Sequence, residues 1–401
     1  MMTLFKYRVF VIVASADLLQ QVGIWIRNMA LLFYIMEQTN NNPTAVSMLT
    51  ALEYLPIFLF SLIGGTFADR WEPKKTVIIG DLLSAVSILL IFSFVLMGVW
   101  QAVFAATVVS AIVSQFSQPS SAVLFRKHIP SQYTGTAIGI TQSMMAVFTI
   151  LGPILGTFIY TQFGLYTSLM ILLGIFLLAA LIQLFLPSST REISRNVASA
   201  LIDLKAGLHY VFNHRNLRLI AGLFFINGIA IGLTQPLDVF VTLERLELPK
   251  ESVQWFSASE GVGMLLGGIL AAMCMSLVER HRQRVITGTL VVWSILTIIE
   301  VLSVWPLLTA SARILSGIAT AFFQVIFSAL LIKEVNPDYI GRANGVIVPL
   351  MMAGILIGTA TSGLFLALSS LFVVYSISAL LTLLSCVLAL KMTSDSKRAH
   401  H

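Results

Sequence analysis

The chain has 401 residues, of which 57% are hydrophobic and 10% are charged, and its formal net charge is +6. Because a soluble domain carries about 25% charged residues, this composition excludes an ordinary soluble protein and predicts one that lies in a membrane. The sequence has no Gly-x-x-x-x-Gly-Lys-Ser/Thr nucleotide-binding loop, no Ser-His-Asp spacing and no metal-ligand cluster. We therefore expect neither an enzyme nor a protein that depends on a metal or cofactor.

Apolar segments long enough to cross a bilayer recur along the whole chain. A spanning helix needs about 20 apolar residues, because the hydrocarbon core is about 30 Å thick and a helix rises about 1.5 Å per residue. The predicted fold class is therefore an all-α membrane protein. Its twelve predicted transmembrane helices lie near residues 7–36, 44–69, 75–97, 100–125, 136–161, 165–187, 217–241, 252–276, 284–303, 306–333, 343–366 and 370–391.

The first two spans carry charges at depths where charge is costly, which makes these residues candidates for function. Asp17 lies ten residues into the first span, about one turn before Gln20 and Gln21. Arg27 and Glu53 share a depth of about 13 Å below the outer surface, so we predict an ion pair between them. Asp17 has no cation at its depth. It is the foremost candidate for taking up a proton, with binding of a cationic substrate as the alternative role.

The loop after the second span carries a recognisable motif, which reads Gly65-Thr-Phe-Ala-Asp69-Arg70-Trp-Glu72-Pro73-Lys74-Lys75. It resembles the signature loop of the major facilitator superfamily, Gly-x-Leu-Ala-Asp-Arg-x-Gly-Arg-Lys, and departs from it at Glu72 and Pro73. The resemblance implies a cytoplasmic gate that latches two halves of the protein, formed by Gly65, Asp69, Arg70, Lys74 and Lys75. Asp81, which follows this loop, is interpreted as an anion at the start of a helix.

The fifth span contains Gly152-Pro153-Ile-Leu-Gly156, with Thr157 behind it. This resembles the Gly-Pro-x-x-Gly element of antiporter branches of the same family, in which a second Gly usually stands at the position of Thr157. Gly and Pro loosen a helix and admit a close neighbour, and an ordinary kink is the alternative interpretation. Over its length the chain is most similar to the macrolide-efflux and enterobactin-exporter-like branch, which implies drug:proton antiport. Ser110 stands where drug–proton antiporters carry an Arg.

A sequence repeat divides the chain into two related halves. Residues 127–139 and 333–345 share Lys, Tyr, Gly, Ala and Gly in register, at a constant offset of 206. A period of half the chain indicates two same-handed halves, as in one kind of secondary transporter. We therefore predict two pseudo-symmetric six-helix bundles, the major facilitator fold. The first bundle is 1–187, a cytoplasmic linker with an amphipathic helix is 188–216, and the second bundle with a short tail is 217–401.

The second half repeats the acid–base pattern of the first. Glu260 and Arg313 lie at nearly equivalent depths, so a second ion pair is predicted. Two interpretations stay open: permanent pairs are structural, whereas a pair that breaks leaves Glu53 or Glu260 able to take up a proton. Asp238 and Glu300 lie near the outer ends of their spans and are expected to be solvated.

Polar and aromatic residues near the midplane are expected to line a central cavity where the halves meet. The candidates are Gln20, Gln21, Trp25, Phe116, Gln118, Asn227, Phe322 and Gln324. Several of them form pairs 206 residues apart, which suits a site shared by the two halves. Hydrogen bonding between helices and ordinary packing are the alternatives.

Lysine and arginine residues lie almost entirely on one side of the predicted spans. With the N-terminus inside, Arg245 and Lys250 alone fall outside, while Arg27 and Arg313 lie within spans. This positive-inside asymmetry predicts the plasma (inner) membrane of a bacterium, with both termini cytoplasmic. It also accounts for the basic charge without a nucleic-acid partner.

Together these patterns predict a secondary active transporter that exports amphipathic small molecules by alternating access. Asp17, Glu53 and Glu260 would couple transport to the proton gradient, so the expected partners are the substrate, protons and the lipid bilayer. A monomer without a cofactor is expected. The alternatives are an importer, or a siderophore or lipid exporter, of the same fold. From a different class, the alternative is a non-transporting membrane sensor, against which the retained membrane carboxylates argue.

Overall fold

A computed structural model describes residues 4–68, 72–187, 197–275, 280–336 and 339–392. Within these residues the regular secondary structure is entirely helical, so the predicted all-α fold class is confirmed. The helices that carry the fold are α1 (Arg8–Gln38), α2 (Pro43–Ala68), α3 (Pro73–Leu96), α4 (Ala102–His128), α5 (Ser131–Gln183), α6 (Val197–Asn213), α7 (Arg215–Thr234), α8 (Val253–Met273), α9 (Arg282–Leu302), α10 (Pro306–Glu334), α11 (Ile340–Leu368) and α12 (Leu371–Lys391).

Ten helices in the described part of the chain are long and apolar enough to cross a membrane. This number differs from the twelve predicted spans for two reasons. Helix α5 has 53 residues and turns at Gly164, where a φ of 72° favours glycine, so its two arms correspond to the predicted spans 136–161 and 165–187. In α4 the apolar stretch whose side chains are described ends at Val113, and several side chains beyond it lie outside the described part of the structure.

The chain divides into two compact units, Met1–Val197 and Ala198–His401. The boundary falls within the predicted linker. Helix contacts of the first unit recur in the second: α1 with α5 corresponds to α7 with α11, and α2 with α4 corresponds to α8 with α10. Likewise α3 packs on α5 and α9 packs on α12. The order of packing therefore follows the sequence repeat.

The end of α7 positions one of the charged residues of the second unit. Pro236 has no N–H for the helical ladder, and the chain continues through short helical turns into a π-helical turn at Val241–Arg245. The whole of Arg215–Arg245 is apolar enough to form one span. Asp238 therefore lies inside this span, between two irregular turns.

Helices α1 and α5 approach each other closely at two glycines. A side chain at Gly152 would overlap the ring of Trp25, and a side chain at Gly156 would overlap the backbone of the same residue. Gly358 of α11, which is 206 residues after Gly152, meets the backbone of α7 in the same way. The Gly-Pro element, with Pro153 buried, thus forms a close helix contact that both halves share.

Candidate functional site

A cluster of acidic side chains surrounds Arg313 in the second unit. Arg313 lies on α10 and is 7% exposed. Its Nη1 donates to Glu260 Oε2 and to Asp238 Oδ2, both at 3.0 Å, and its Nη2 forms an ion pair with Glu300. The hydroxyl of Tyr375 donates to Asp238 Oδ1 at 3.3 Å. Helices α8, α9, α10 and α12 and the turns after α7 therefore contribute to one polar site.

The charges in this cluster do not balance. Three carboxylates share the guanidinium of Arg313, so full ionisation leaves two negative charges uncompensated. Buried charges without a partner are costly, so the arrangement favours a proton or the positive charge of a ligand. The expected solvation of Asp238 and Glu300 is wrong, because Glu300 is 6% exposed and Asp238 is half-buried against Arg313. The irregular end of α7 and the convergence of several helices bring these acids inside.

Close packing of α8 on α10 brings Glu260 to Arg313. A side chain at Gly263 would overlap the backbone of Ile314, and a side chain at Gly317 would overlap the carbonyl of Glu260. Small residues at a helix crossing let two backbones approach in this way. The ion pair predicted between Glu260 and Arg313 is therefore fixed by the helix crossing itself.

The corresponding pair in the first unit is balanced. Arg27 Nη2 donates to Glu53 Oε1 at 3.0 Å, so the two side chains predicted to pair do so. Asn28 Oδ1 accepts from Arg27 Nη2 at 2.9 Å, and Ser110 of α4 accepts from Arg27 Nη1. From the resemblance an arginine is expected at the position of Ser110. Here Arg27 of α1 brings the positive charge to that position. In the described contacts of Arg27, one carboxylate meets one guanidinium.

A second polar group in the first unit lies toward the N-terminal ends of α1 and α3. Ser121 donates to Asp17 Oδ1 at 3.1 Å, and Gln20 Nε2 donates to Asp81 Oδ1 at 2.8 Å. The interpretation of Asp81 as a helix-start anion is wrong, because it is 2% exposed and lies eight residues after Pro73, the first residue of α3. Among the described residues no cationic side chain pairs with Asp17 or Asp81.

The cavity candidates of the second unit differ in exposure. Asn227 is 2% exposed and its Nδ2 donates at 2.9 Å to a carbonyl one turn earlier in α7. In this structure Asn227 therefore serves the packing of α7 and offers no cavity surface. Phe322 is half-buried against the core of its unit, and Gln324 is exposed. In the first unit, the side chains of Phe116 and Gln118 lie outside the described part of the structure.

The remaining cavity candidates lie on α1, within the first unit. Gln20 is bound to Asp81, and Trp25 packs on Gly152. Gln21 is half-buried. The contacts of Gln20 and Trp25 correspond to the alternative of hydrogen bonding and packing between helices.

The gate predicted from the loop is described in part. Gly65 lies in the last turns of α2. Lys74 and Lys75 lie in the first turn of α3, where Lys74 Nζ donates to the carbonyl of Leu186 at 2.5 Å and Lys75 pairs with Glu72 at 2.9 Å. Lys74 thereby ties the start of α3 to the chain just after α5. Asp69 and Arg70 lie outside the described residues.

Comparison with known proteins gives matches over nearly the whole chain. A family model described as the Major Facilitator Superfamily matches residues 13–275 and 244–401. The chain is 23% identical over 364 residues to an uncharacterized MFS-type transporter, YkuC of Bacillus subtilis, which covers 88% of this chain and 84% of that protein. It is 22% identical over 352 residues to Macrolide efflux protein A of Streptococcus pyogenes, with 85% of each chain covered.

Solved transporter structures are similar in fold. The nucleoside transporter NupG has a TM-score of 0.77 at 15% identity, covering 96% of this chain and 100% of that chain. A D-xylose-proton symporter has a TM-score of 0.73 at 13% identity, with 98% of each chain covered. At such identities the likeness shows the fold alone.

Proposed function

Because the chain belongs to the Major Facilitator Superfamily and is thus a multi-pass membrane transporter, we propose that it exports amphipathic small molecules in exchange for protons. Its two halves alternate access to the substrate, as in transporters built from repeats. The proposed location is the plasma membrane of a bacterium with both termini in the cytoplasm, which the positive-inside asymmetry supports. It works as a monomer and without a cofactor.

The observation that carries the proton coupling is the excess of carboxylates around Arg313. Of the three acids, Glu260 has the most exposed side chain, at 34% against 22% for Asp238 and 7% for Glu300. A proton that reaches Glu260 removes one negative charge and releases one partner of Arg313. Because the conformations of a transporter bind this proton unequally, its arrival shifts the equilibrium between them.

The first unit contributes differently to this cycle. Glu53 compensates Arg27 one to one, which supports the structural interpretation of that pair. Asp17 accepts a hydrogen bond from Ser121 and has no cationic partner among the described residues. Asp17 and Glu260 are therefore the proposed proton acceptors, one in each unit.

The direction of transport rests on the similarity to Macrolide efflux protein A and on the Gly152-Pro153 element. Uptake together with protons is the alternative, since the fold is also that of a D-xylose-proton symporter. The two mechanisms differ in the sign of the coupling. In an exporter of this kind protons and substrate move in opposite directions, whereas in a symporter they move together.

Everted membrane vesicles with an acidified lumen test the proposal. A macrolide added outside is expected to enter the lumen while protons leave, which a pH-sensitive dye reports as alkalinisation. Glu260→Gln should strongly reduce this response, because the amide takes up no proton. Glu247→Gln is the matched control, since Glu247 is an exposed carboxylate of the same unit. Substrate and protons entering together would show symport instead, and no response to a panel of amphipathic probes or sugars would favour a sensor.

A further inference from the structure

Helix α6 packs along one face against the rest of the second unit. A side chain at Gly207 would overlap the carbonyl of Arg342, and Val211 is fully buried in the core of that unit. The ring of Tyr210 stacks on Tyr339, with 4.4 Å between the ring centroids and 16° between their planes. A close backbone contact at a glycine and a stacked pair of rings fix the rotation of a helix about its axis. The directions of the other side chains of α6 are therefore set.

This rotation turns an apolar stripe of α6 away from the unit. The stripe consists of Leu208 and Phe212, which are 40% and 45% exposed. They are four residues apart, so they lie on the same side of the helix. Lys205 and His209 are exposed along one edge of this outer stripe. An amphipathic helix normally buries its apolar side, whereas α6 has two apolar sides, of which its own unit covers one.

Positive charge borders the outer stripe. Arg215 and Arg218 are exposed in the first turn of α7, and Arg218 Nη1 donates at 3.3 Å to the carbonyl of Phe212. Residues 204–237 include no Asp or Glu. Within the described part of the chain, no carboxylate forms an ion pair with Lys205, Arg215 or Arg218. The charge beside the stripe is therefore uncompensated and suits an anionic partner.

The outer stripe lies next to the start of a membrane span. One residue, His214, separates α6 from α7, and the apolar span Arg215–Arg245 begins three residues after Phe212. At a bilayer surface, apolar side chains sit among the acyl chains while Lys and Arg meet the headgroups. The stripe and its cations match both layers. A soluble acidic partner would match the cations, but it offers no apolar layer at the level where a span begins.

The entry to the first unit exposes the same kinds of side chain. Phe5 is 63% exposed and lies beside Lys6, which is exposed as well. The next residue, Tyr7, packs on Tyr133, just as Tyr210 packs on the tyrosine that corresponds to Tyr133 in the sequence repeat. Each half thus enters its first span with one tyrosine docked on the repeat and with a phenylalanine exposed near a cation. Two segments that enter the bilayer from the same charged side are expected to share such a pattern.

We propose that the outer stripe of α6 and the cations beside it bind anionic phospholipids of the cytoplasmic leaflet. Leu208 and Phe212 insert among the acyl chains, and Lys205, Arg215 and Arg218 meet the phosphate groups. Each basic residue close to such a surface strengthens binding about fivefold. Held by protein on one side and by lipid on the other, α6 ties the second unit to the inner leaflet. This lipid surface does not rest on the proposed export.

Spin labels on the full chain in lipid nanodiscs test the surface. In a background with Cys274 and Cys386 replaced by serine, one nitroxide is attached at Leu208→Cys. The matched control is Asn213→Cys, because Asn213 is exposed beyond His209, on the side of α6 away from the stripe. In equal parts of phosphatidylcholine and phosphatidylglycerol, oxygen should reach the label at 208 several-fold better than a water-soluble nickel complex does. The label at 213 should show the reverse.

The role of charge is tested by substitutions that leave the stripe intact. Lys205→Gln combined with Arg215→Gln should lower the ratio of oxygen to nickel accessibility at 208 several-fold, and so should pure phosphatidylcholine. Both native side chains are exposed, so the fold should persist. Arg284→Gln combined with Lys391→Gln is the control, since it removes the same charge from exposed positions of the same unit. This control should leave the ratio unchanged.

Three results would overturn the inference. The first is a label at 208 that the nickel complex reaches as well as it reaches the label at 213, which would place the stripe in water. The second is an immobile label at 208 that neither reagent reaches, which would show that protein covers the stripe. The third is an unchanged ratio in pure phosphatidylcholine and in the variant of Lys205 and Arg215, which would show insertion that does not depend on anionic lipid.

Discussion

Arg313 is the residue on which the acidic cluster of the second unit depends. In Arg313→Met, Asp238, Glu260 and Glu300 lose their cation while the stem of the side chain still fills its space. Removing one partner of a buried ion pair costs about 3–5 kcal/mol, because the remaining charge stays desolvated. We expect a loss of stability in this range at neutral pH, measured by thermal or denaturant unfolding of the purified protein.

Glu300→Gln is the matched control for this prediction. It removes one of the surplus carboxylates and keeps an amide oxygen that can accept from Arg313. We expect the unfolding transition to stay where it is or to move to higher temperature, because the remaining charges are closer to balance. A loss as large as that of Arg313→Met would show that the cluster requires the Glu300 carboxylate for stability, so that Glu300 is not a surplus acid.

The two ion pairs could be predicted from the sequence, because depth along a straight helix is read by counting residues. The additional acids could not be placed in this way. Asp238 belongs to a span whose helix breaks at Pro236, so its direction depends on irregular turns. Glu300 and Tyr375 reach the cluster only because their helices converge on α10. The sole sequence signal for these acids was their position inside apolar segments, and depth alone did not identify their partners.

At the scale of the helix, the crossing of α8 and α10 depends on glycines that face α10. A side chain at Gly267 would overlap the backbone of Ile318, whereas a side chain at Gly268 would begin in open space, with no atom within 4 Å. Gly267→Leu should therefore force the helices apart and destabilise the protein by about 1–3 kcal/mol. Gly268→Leu should be neutral or slightly stabilising, since it replaces a poor helix former. Thermal unfolding of the two variants checks the difference.

The variants at Gly267 and Gly268 also test whether the helix crossing is needed for proton-coupled transport. If the crossing holds Glu260 against Arg313, Gly267→Leu should reduce proton-coupled transport as well as stability. Gly268→Leu should leave both unchanged. Equal effects of the two substitutions would contradict the assigned faces of α8.

The spans themselves were largely predictable, because a spanning helix needs only length and hydropathy. Helix α6 likewise occupies the linker, where apolar spacing predicted a helix. The junction at Gly164 shows the limit of this reasoning. A single glycine with a positive φ joins the two predicted spans without an intervening loop, so the two arms of α5 follow each other directly at a sharp turn. Backbone conformation at one residue is not visible in a hydropathy pattern.

At the scale of the whole molecule, the positive-inside asymmetry predicts which loops face the cytoplasm. In a background with Cys274 and Cys386 replaced by serine, Gln38→Cys should react with a membrane-impermeant maleimide in intact cells. Asn213→Cys should react only after the cells are opened. Both native side chains are exposed, so access to the reagent is decided by the membrane. The opposite labelling pattern would invert the orientation and with it the direction of proton entry.

The helices of the two halves pack in the same order, but Arg27 has one acidic partner whereas Arg313 has three. Equivalent substitutions in the two halves should therefore have different effects. Glu53→Gln leaves Arg27 without a carboxylate, so we expect a loss of about 1–3 kcal/mol, reduced from a fully buried pair because Glu53 is partly exposed. Glu260→Gln leaves Arg313 with two acids, so stability should be retained while proton release falls. Unfolding and vesicle assays on both variants separate these effects. If Glu260→Gln unfolds the protein and Glu53→Gln stops transport, then the balanced pair is the coupled one and the surplus acids are structural.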